Sequence, residues 1–343
     1  MPRSRRNEED DDRPENFWKG LARDAGVAVA IVALFLGALY LYAGVWPPLV
    51  VVESSSMQHG NEASSFGVID TGDMVFQQAA PTRSSVITYL EGRANGYTTY
   101  GDFGDVIIFR RIGSATPIIH RAIMFVTLHV VTANGRSQVA ADVPDITLLP
   151  TSEWTASNAT GSTRNPDSLY SLTILRMGFN RDINFTFSFN SLPAEEGRAG
   201  FVTMGDNNLF EYCRLSRDHC TTIAYDPWVP RIQDIQGRAR GEIPWLGLVK
   251  LTLQPTDTCC SGWGDPEAPK NSWDDLLITL VVLAALPFLL EYGVRGWTKF
   301  VSPHLPRIRW PWRRARTSDP NLEDPIGPTE DESKPPREGS FEP

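Results

Sequence analysis

Ser54-Ser55-Ser56-Met57 places three hydroxyls about ten residues beyond an apolar run from Ala25 to Trp46, a hydroxyl-rich stretch held close to a membrane surface. A serine is a poor nucleophile at neutral pH unless a neighbouring base takes its proton, so the available base defines the chemistry. Lysine is nearly excluded: the chain has five, Lys19, Lys250, Lys270, Lys299 and Lys334, and none lies between Ser56 and Val249. Between the two apolar runs of the chain stand four histidines, His59, His120, His129 and His219. His120, in Pro117-Ile118-Ile119-His120-Arg121-Ala122-Ile123, falls in a strand pattern that would hold its imidazole on a rigid element. His129 reads instead as a strand histidine hydrogen-bonded in a core. A carboxylate best orients such an imidazole and stabilises its charged form. Gly205-Asp206-Asn207-Asn208 follows the strand-like Gly200 to Met204, so Asp206 would project from a tight turn at a strand end.

The elements that must position these groups begin with the apolar run, 22 residues without a charge. That is enough for a helix to cross a hydrocarbon core of about 30 Å. No small-residue cleavage site follows it, so the run reads as an uncleaved anchor rather than a signal peptide. A second run, Leu276 to Leu290, contains Pro287 and, extended to Val294, makes a marginal second span. Lys19 and Arg23 precede the first run; Arg295, Lys299, Arg307, Arg309, Arg313, Arg314 and Arg316 follow the second. The excess of basic residues at these ends predicts a two-pass protein of the cell membrane with both termini cytoplasmic. The expected organisation is a tail (1–24), a transmembrane helix (25–46), an extracytoplasmic domain (47–273), a second transmembrane helix (274–294) and a tail (295–343), basic and then acidic. Residues 1–16 and 317–343, rich in Asp, Glu, Pro and Ser, read as disordered.

The exterior segment reads as mainly β. Short apolar or alternating stretches at Asp73–Phe76, Val106–Phe109, Ile118–Val131, Leu172–Leu175, Asn184–Phe189 and Gly200–Met204 are separated by turn residues, and none has a sustained helical period. Residues 134–199, rich in Ser, Thr, Asn and Asp, look like an insert on a more compact core. All four cysteines, Cys213, Cys220, Cys259 and Cys260, lie in this exterior segment, where disulfides persist. Zinc binding by His219 with the cysteines lacks the paired Cys-x-x-Cys spacing. Two sequons, Asn158-Ala159-Thr160 and Asn184-Phe185-Thr186, fall there as well. A formal net charge of -9 does not suggest a nucleic-acid partner.

Five segments occur in a telling order: Ser54 to Met57, Gly104-Asp105-Val106-Ile107-Ile108-Phe109, Ile118-Ile119-His120-Arg121, Gly205-Asp206-Asn207-Asn208, and Gly237-Arg238-Ala239-Arg240-Gly241 running on to Gly247. In this order the chain resembles the type I signal peptidases, in particular their archaeal and endoplasmic-reticulum branch, in which a histidine replaces the lysine base. The resemblance implies a signal-peptidase-like β fold and a membrane-anchored serine endopeptidase that removes signal peptides from exported precursors. It implies Ser56 as nucleophile, His120 as general base and Ser54 as a donor to the oxyanion. The strands around Val51–Ser56 and Gly104–Phe109 would bind substrate as an added strand. The carboxylate is divided between Asp206, favoured for its motif, and Asp218, reachable if Cys213 to Cys220 closes a loop, with Asp226 as an outsider. His59 stands where relatives carry a proline, and Tyr212 where they carry a further Asp. No cofactor or metal is implied. The implied partners are precursor proteins, membrane lipid and, as a candidate, the export channel. Against this stand the alternatives of an inactive β scaffold or binding subunit and of an envelope structural protein, since serine triplets and Gly-Asp-Asn-Asn turns are common by themselves.

Overall fold

The computed structural model describes residues 14–60, 62–114, 116–133 and 135–296. The basic cluster from Lys299 to Arg316 and the tails 1–13 and 317–343 lie outside these residues. Residues 1–284 form one unit; the second, 285–343, is described only over 285–296, the end of a helix. The protein is mostly β-sheet with two long apolar helices.

Helix α1 (Pro14–Ala43) opens on a proline, whose missing N–H is no loss in a first turn. It begins inside the tail expected to be disordered and ends three residues before Trp46, where Gly44 takes a left-handed φ of 64°. The other long helix, α5 (Lys270–Gly296), runs through Pro287 without a break. The apolar windows of Trp18–Ala43 and Lys270–Arg295 have mean hydropathies of 2.3 and 2.2, and none of either window is buried. At about 1.5 Å per residue, each is long enough to cross a bilayer.

Between them run β1 (Leu49–Val51), β2 (Met74–Gln78), α2 (Tyr89–Asn95), β3 (Thr98–Thr99), β4 (Asp102–Phe103), β5 (Val106–Phe109), β6 (Ile118–Ala133), β7 (Arg136–Asp142), β8 (Trp154–Asn158), β9 (Gly161–Thr163), β10 (Ser171–Met177), β11 (Ile183–Ser188), β12 (Ala199–Met204), α3 (Asp206–Tyr212), β13 (Ile235–Ile243) and α4 (Gly247–Leu253). The strand-like stretches read from the sequence fall on β2, β5, β6, β10, β11 and β12. The three seven-residue helices were not expected, because such lengths hold too little of a helical period to register as a pattern. One of them overturns the expected turn at Gly205-Asp206-Asn207-Asn208: Gly205 caps α3 and Asp206 is its first residue, where a carboxylate suits the helix's positive end.

A seven-stranded antiparallel sheet is ordered β1-β2-β13-β5-β6-β12, with β7 on the far half of β6. β6 pairs β5 through Ile118–Arg121, β12 through Arg121–Thr127 and β7 through Thr127–Ala133. The insert builds a separate four-stranded sheet, β11-β10-β8-β9. Its apolar side chains, including Trp154, Leu172, Ile174, Phe185 and Phe187, share one core cluster with Met124, Val126 and Leu128 of β6. A second cluster of Val52, Met57, Val75, Val106, Ile108 and Ile119 lies where the serine triplet leaves β1. Disulfides join Cys213 to Cys220 and Cys259 to Cys260, so these sulfurs are not thiolates free to hold zinc.

Candidate active site

Ser56 stands in a single 3-10 turn, Ser55–Met57, at the end of β1. Three contacts fix that turn. Met57 is buried in the second core cluster, worth roughly 1.5–3 kcal/mol for such a side chain. The Asn207 side chain donates to the Ser55 carbonyl (3.0 Å), and Glu267 Oε1 accepts from the Ser55 N–H (2.9 Å) and hydroxyl (2.7 Å). Gly205 backs directly onto the turn; a Cβ there would stand 2.3 Å from the Ser56 carbonyl oxygen, so only glycine fits. The Gly-Asp-Asn-Asn segment is therefore a brace behind the serine.

Ser56 and His120 line one cleft of about 310 Å³, with Val51, Val52, Glu53, Ser54 and Met57 on one side and Arg111, Thr116–Ile119, Asp226 and Thr258 completing it. Ser56 Oγ lies 3.4 Å from Ser54 Oγ. No hydrogen bond joins Ser56 to His120 in this resting geometry; apo sites are often looser than reacting ones. The His120 ring is nine-tenths buried and its Nδ1 has no partner, which leaves Nε2 as the nitrogen toward the cleft. Burial lowers the His120 pKa to about 4, against the opposing pull of Asp226 and, less strongly, Asp206. The ring is thus a neutral imidazole at neutral pH, the form that accepts a proton.

The structure places the carboxylates differently from the sequence reading. Asp206 is buried away from the cleft: its oxygens accept from Arg121 Nε (2.8 Å) and Nη2 (2.6 Å), and His59 Nε2 lies 3.1 Å from Oδ2. Burial raises its pKa, but the Arg121 charge and hydrogen bonds outweigh that and hold it at about 2. Arg121 is itself buried and donates to the carbonyls of Thr99, Asp102, Phe103 and Gly104 as well. Asp218 is exposed in the short 3-10 helix Arg217–His219 and does not line the cleft. Asp226, the outsider, does line it. Its Oδ1 accepts from the Trp228 N–H (2.8 Å) and from Arg111, while Oδ2 is buried without a partner, like His120 Nδ1. The two orphaned atoms belong to side chains that line one cleft, and no hydrogen bond joins them in this geometry; the Asp226 charge acts on the ring through space.

Three further expectations change. β5 cannot receive an added strand, because β13 and β6 occupy both its edges and all four of its residues are buried. Beside the cleft, among the described residues, β1 pairs with β2 alone and Ile118–His120 of β6 pair with β5 alone. His59 stacks on Phe179, ring centroids 4.0 Å apart, and serves Asp206. His129 is partly exposed rather than in a core, bonded to Asp142 (2.8 Å) and Glu196 (3.1 Å).

Arg111, Thr258 and Glu267 escaped the sequence reading, in which Asp226 stood only as an outsider for the carboxylate. Comparison of the chain with family models, with curated proteins and with solved structures returned no match in any of the three.

Proposed function

We propose that the protein is a membrane-anchored serine endopeptidase with a signal-peptidase-like β domain, which removes signal peptides from exported precursors on the outer side of the membrane. The observation that carries this reading is the shared cleft of Ser56 and His120, two residues 64 positions apart in the chain, with a neutral imidazole whose Nδ1 is buried without a partner. His120 Nε2 takes the Ser56 proton as Oγ attacks the scissile carbonyl. Asp226 holds the Nδ1 side and stabilises the imidazolium. The oxyanion is met by Ser54 Oγ and the Ser56 N–H, and water then releases the acyl group.

The substrate chain lies extended between the free edges of β1 and of Ile118–His120, held by backbone hydrogen bonds as an added strand. The apolar walls from Val51, Val52, Ile118 and Ile119 suit small side chains in a cleft of this size. The Ala43 carbonyl at the end of α1 accepts from the Ala79 N–H (2.7 Å), which ties the catalytic sheet to the span. Exposed Ile112, beside Arg111, and exposed Leu253 and Trp263 offer apolar surface that a lipid boundary would cover.

The test is cleavage of a signal-bearing precursor by the purified full chain in detergent. Ser56→Ala and His120→Ala are expected to lower kcat/KM by roughly 10⁴-fold, by analogy with other serine triads. Equal cleavage by all three proteins removes the assignment and leaves the β scaffold reading.

A further inference from the structure

The two sequons, unused by the peptidase chemistry, sit on the same four-stranded sheet in opposite circumstances. Asn158 ends β8 and Gly161 opens β9, so Asn158-Ala159-Thr160 forms the tip of a two-strand hairpin, with Ala159, Thr160 and Gly161 exposed. The side chain is already turned for reaction. Asn158 Oδ1 accepts from the Thr160 N–H (2.9 Å) and from the Thr160 hydroxyl (2.7 Å), while Nδ2 has no partner within the described chain. This arrangement brings the hydroxyl against the amide, polarises it, and presents the nitrogen to solvent.

Asn184 is instead the second residue of β11. Its Oδ1 accepts from the Arg176 N–H (3.0 Å), its Nδ2 donates to the Asp218 carbonyl (3.2 Å), and its backbone carbonyl accepts from the Cys220 N–H (2.9 Å). The Thr186 hydroxyl is engaged by Thr173 (2.8 Å) rather than by Asn184. Modification there would require breaking bonds on both sides of the strand, next to the Cys213–Cys220 bridge.

We propose that Asn158 is an N-glycosylation site and that Asn184, despite the same tripeptide, is not. The co-substrate is a sugar carried on a polyisoprenyl phosphate or diphosphate, presented by a membrane transferase on the outer side. Asn158 Nδ2 forms the bond to the anomeric carbon, the bond from that carbon to the phosphate oxygen breaks, the amide loses one proton, and the lipid phosphate leaves with the electron pair. A glycan at the hairpin tip shields the outer face of the insert and leaves the cleft open, since none of residues 154–188 lines it.

The inference rests on the exterior placement of the β domain but not on peptidase activity. The experiment isolates the full chain from the membranes of its own cells, digests it and identifies the Asn158 and Asn184 peptides by mass. In parallel, intact cells are treated with external protease. The expected result is a sugar increment on the Asn158 peptide that is lost in Asn158→Gln and Thr160→Ala, kept in Thr160→Ser and Asn184→Gln, with the Asn184 peptide at its bare mass. A bare Asn158 peptide on a domain that external protease cuts overturns the proposal alone. A bare peptide on a protected domain overturns it together with the exterior placement. A glycan on Asn184 at equal occupancy overturns the discrimination between the two sites.

Discussion

In the four-stranded sheet the outer hydroxyls find one another, Ser157 with Ser171 (2.7 Å) and Thr173 with Thr186 (2.8 Å), while around the cleft of the seven-stranded sheet polar atoms are buried without partners. The orphans at the cleft are His120 Nδ1, Asp226 Oδ2 and Arg111 Nε, from side chains that carry or accept charge. Those of the insert are Trp154 Nε1 and Tyr170 OH, both on neutral groups. An unmade hydrogen bond to a buried group costs about 1–3 kcal/mol, so a fold selected for stability alone would pair them. The insert behaves as packing; the cleft carries unsatisfied groups that a substrate or a transition state can use.

The sharpest break of this comparison is between the two carboxylates. Asp226→Asn keeps the shape of the side chain but removes the charge that steadies His120. We expect kcat/KM to fall about 10³-fold, worth about 4 kcal/mol, with thermal unfolding little changed. Asp206→Asn leaves the guanidinium of Arg121 buried and half-paired, so it should lower stability by roughly 3–5 kcal/mol while the remaining folded molecules cleave normally. If instead the folded Asp206 variant is dead and the Asp226 variant active, the two roles are exchanged.

On the other side of the comparison, Phe187→Ala removes a fully buried ring from the cluster shared by both sheets. A loss of about 3–5 kcal/mol of stability is expected, read from denaturant unfolding in detergent, with cleavage per folded molecule unchanged. A drop in cleavage without a drop in stability would mean that the insert communicates with the cleft.

Much of the scaffold was legible in the chain because apolar alternation and length are local properties. β5, β6 and β12 follow from runs such as Val106–Phe109, and the long helices from uncharged stretches of spanning length. The placing of Ser56 and His120 around one cleft agrees with what the family resemblance implies for them. What the chain hid is long-range satisfaction of buried charge. Arg121 sits beside His120 in sequence, yet it faces Asp206 and five carbonyls, and nothing local says which carboxylate it takes. Asp105 is held in the same way by Arg240 (2.8 Å) and Tyr97 (2.8 Å), which links two of the recognised segments through structure rather than chemistry. Asp226 ranks only as an outsider in the sequence because no motif surrounds it. Glu267, 212 residues from Ser55, could be found only once the chain was folded.

The smallest effect concerns a third set of buried carboxylates, Asp70 and Asp73 before β2 and Glu242 near the end of β13. Burial pushes their pKa values up to about 6, about 8 and about 7, from 3.8, 3.8 and 4.5. Each holds a proton in the folded chain at a pH where the unfolded chain has released it. Their contribution is complete below about pH 4 and is lost as the pH rises through the folded values. His120 has the opposite sign: its folded pKa of about 4 lies below the ordinary 6.5, so it lowers stability as the pH falls through that interval. Above about pH 6.5 His120 is silent, and the carboxylates act together with His129, whose pKa is raised by its hydrogen bonds to Asp142 and Glu196. Thermal unfolding in detergent should therefore move to lower temperature between about pH 6.5 and about 8. Asp73 accounts for about 2 kcal/mol of that change. Asp73→Asn gives up one of the two backbone donors on Asp73, from Asp70 (2.7 Å) and Trp245 (2.8 Å), so its stability drops at every pH. The quantity to read is the slope, which should flatten in Asp73→Asn and persist in His120→Ala. A slope that survives the first substitution and vanishes in the second would move the titrating group to the cleft, and with it the distinction between strain used for chemistry and strain merely carried by the fold.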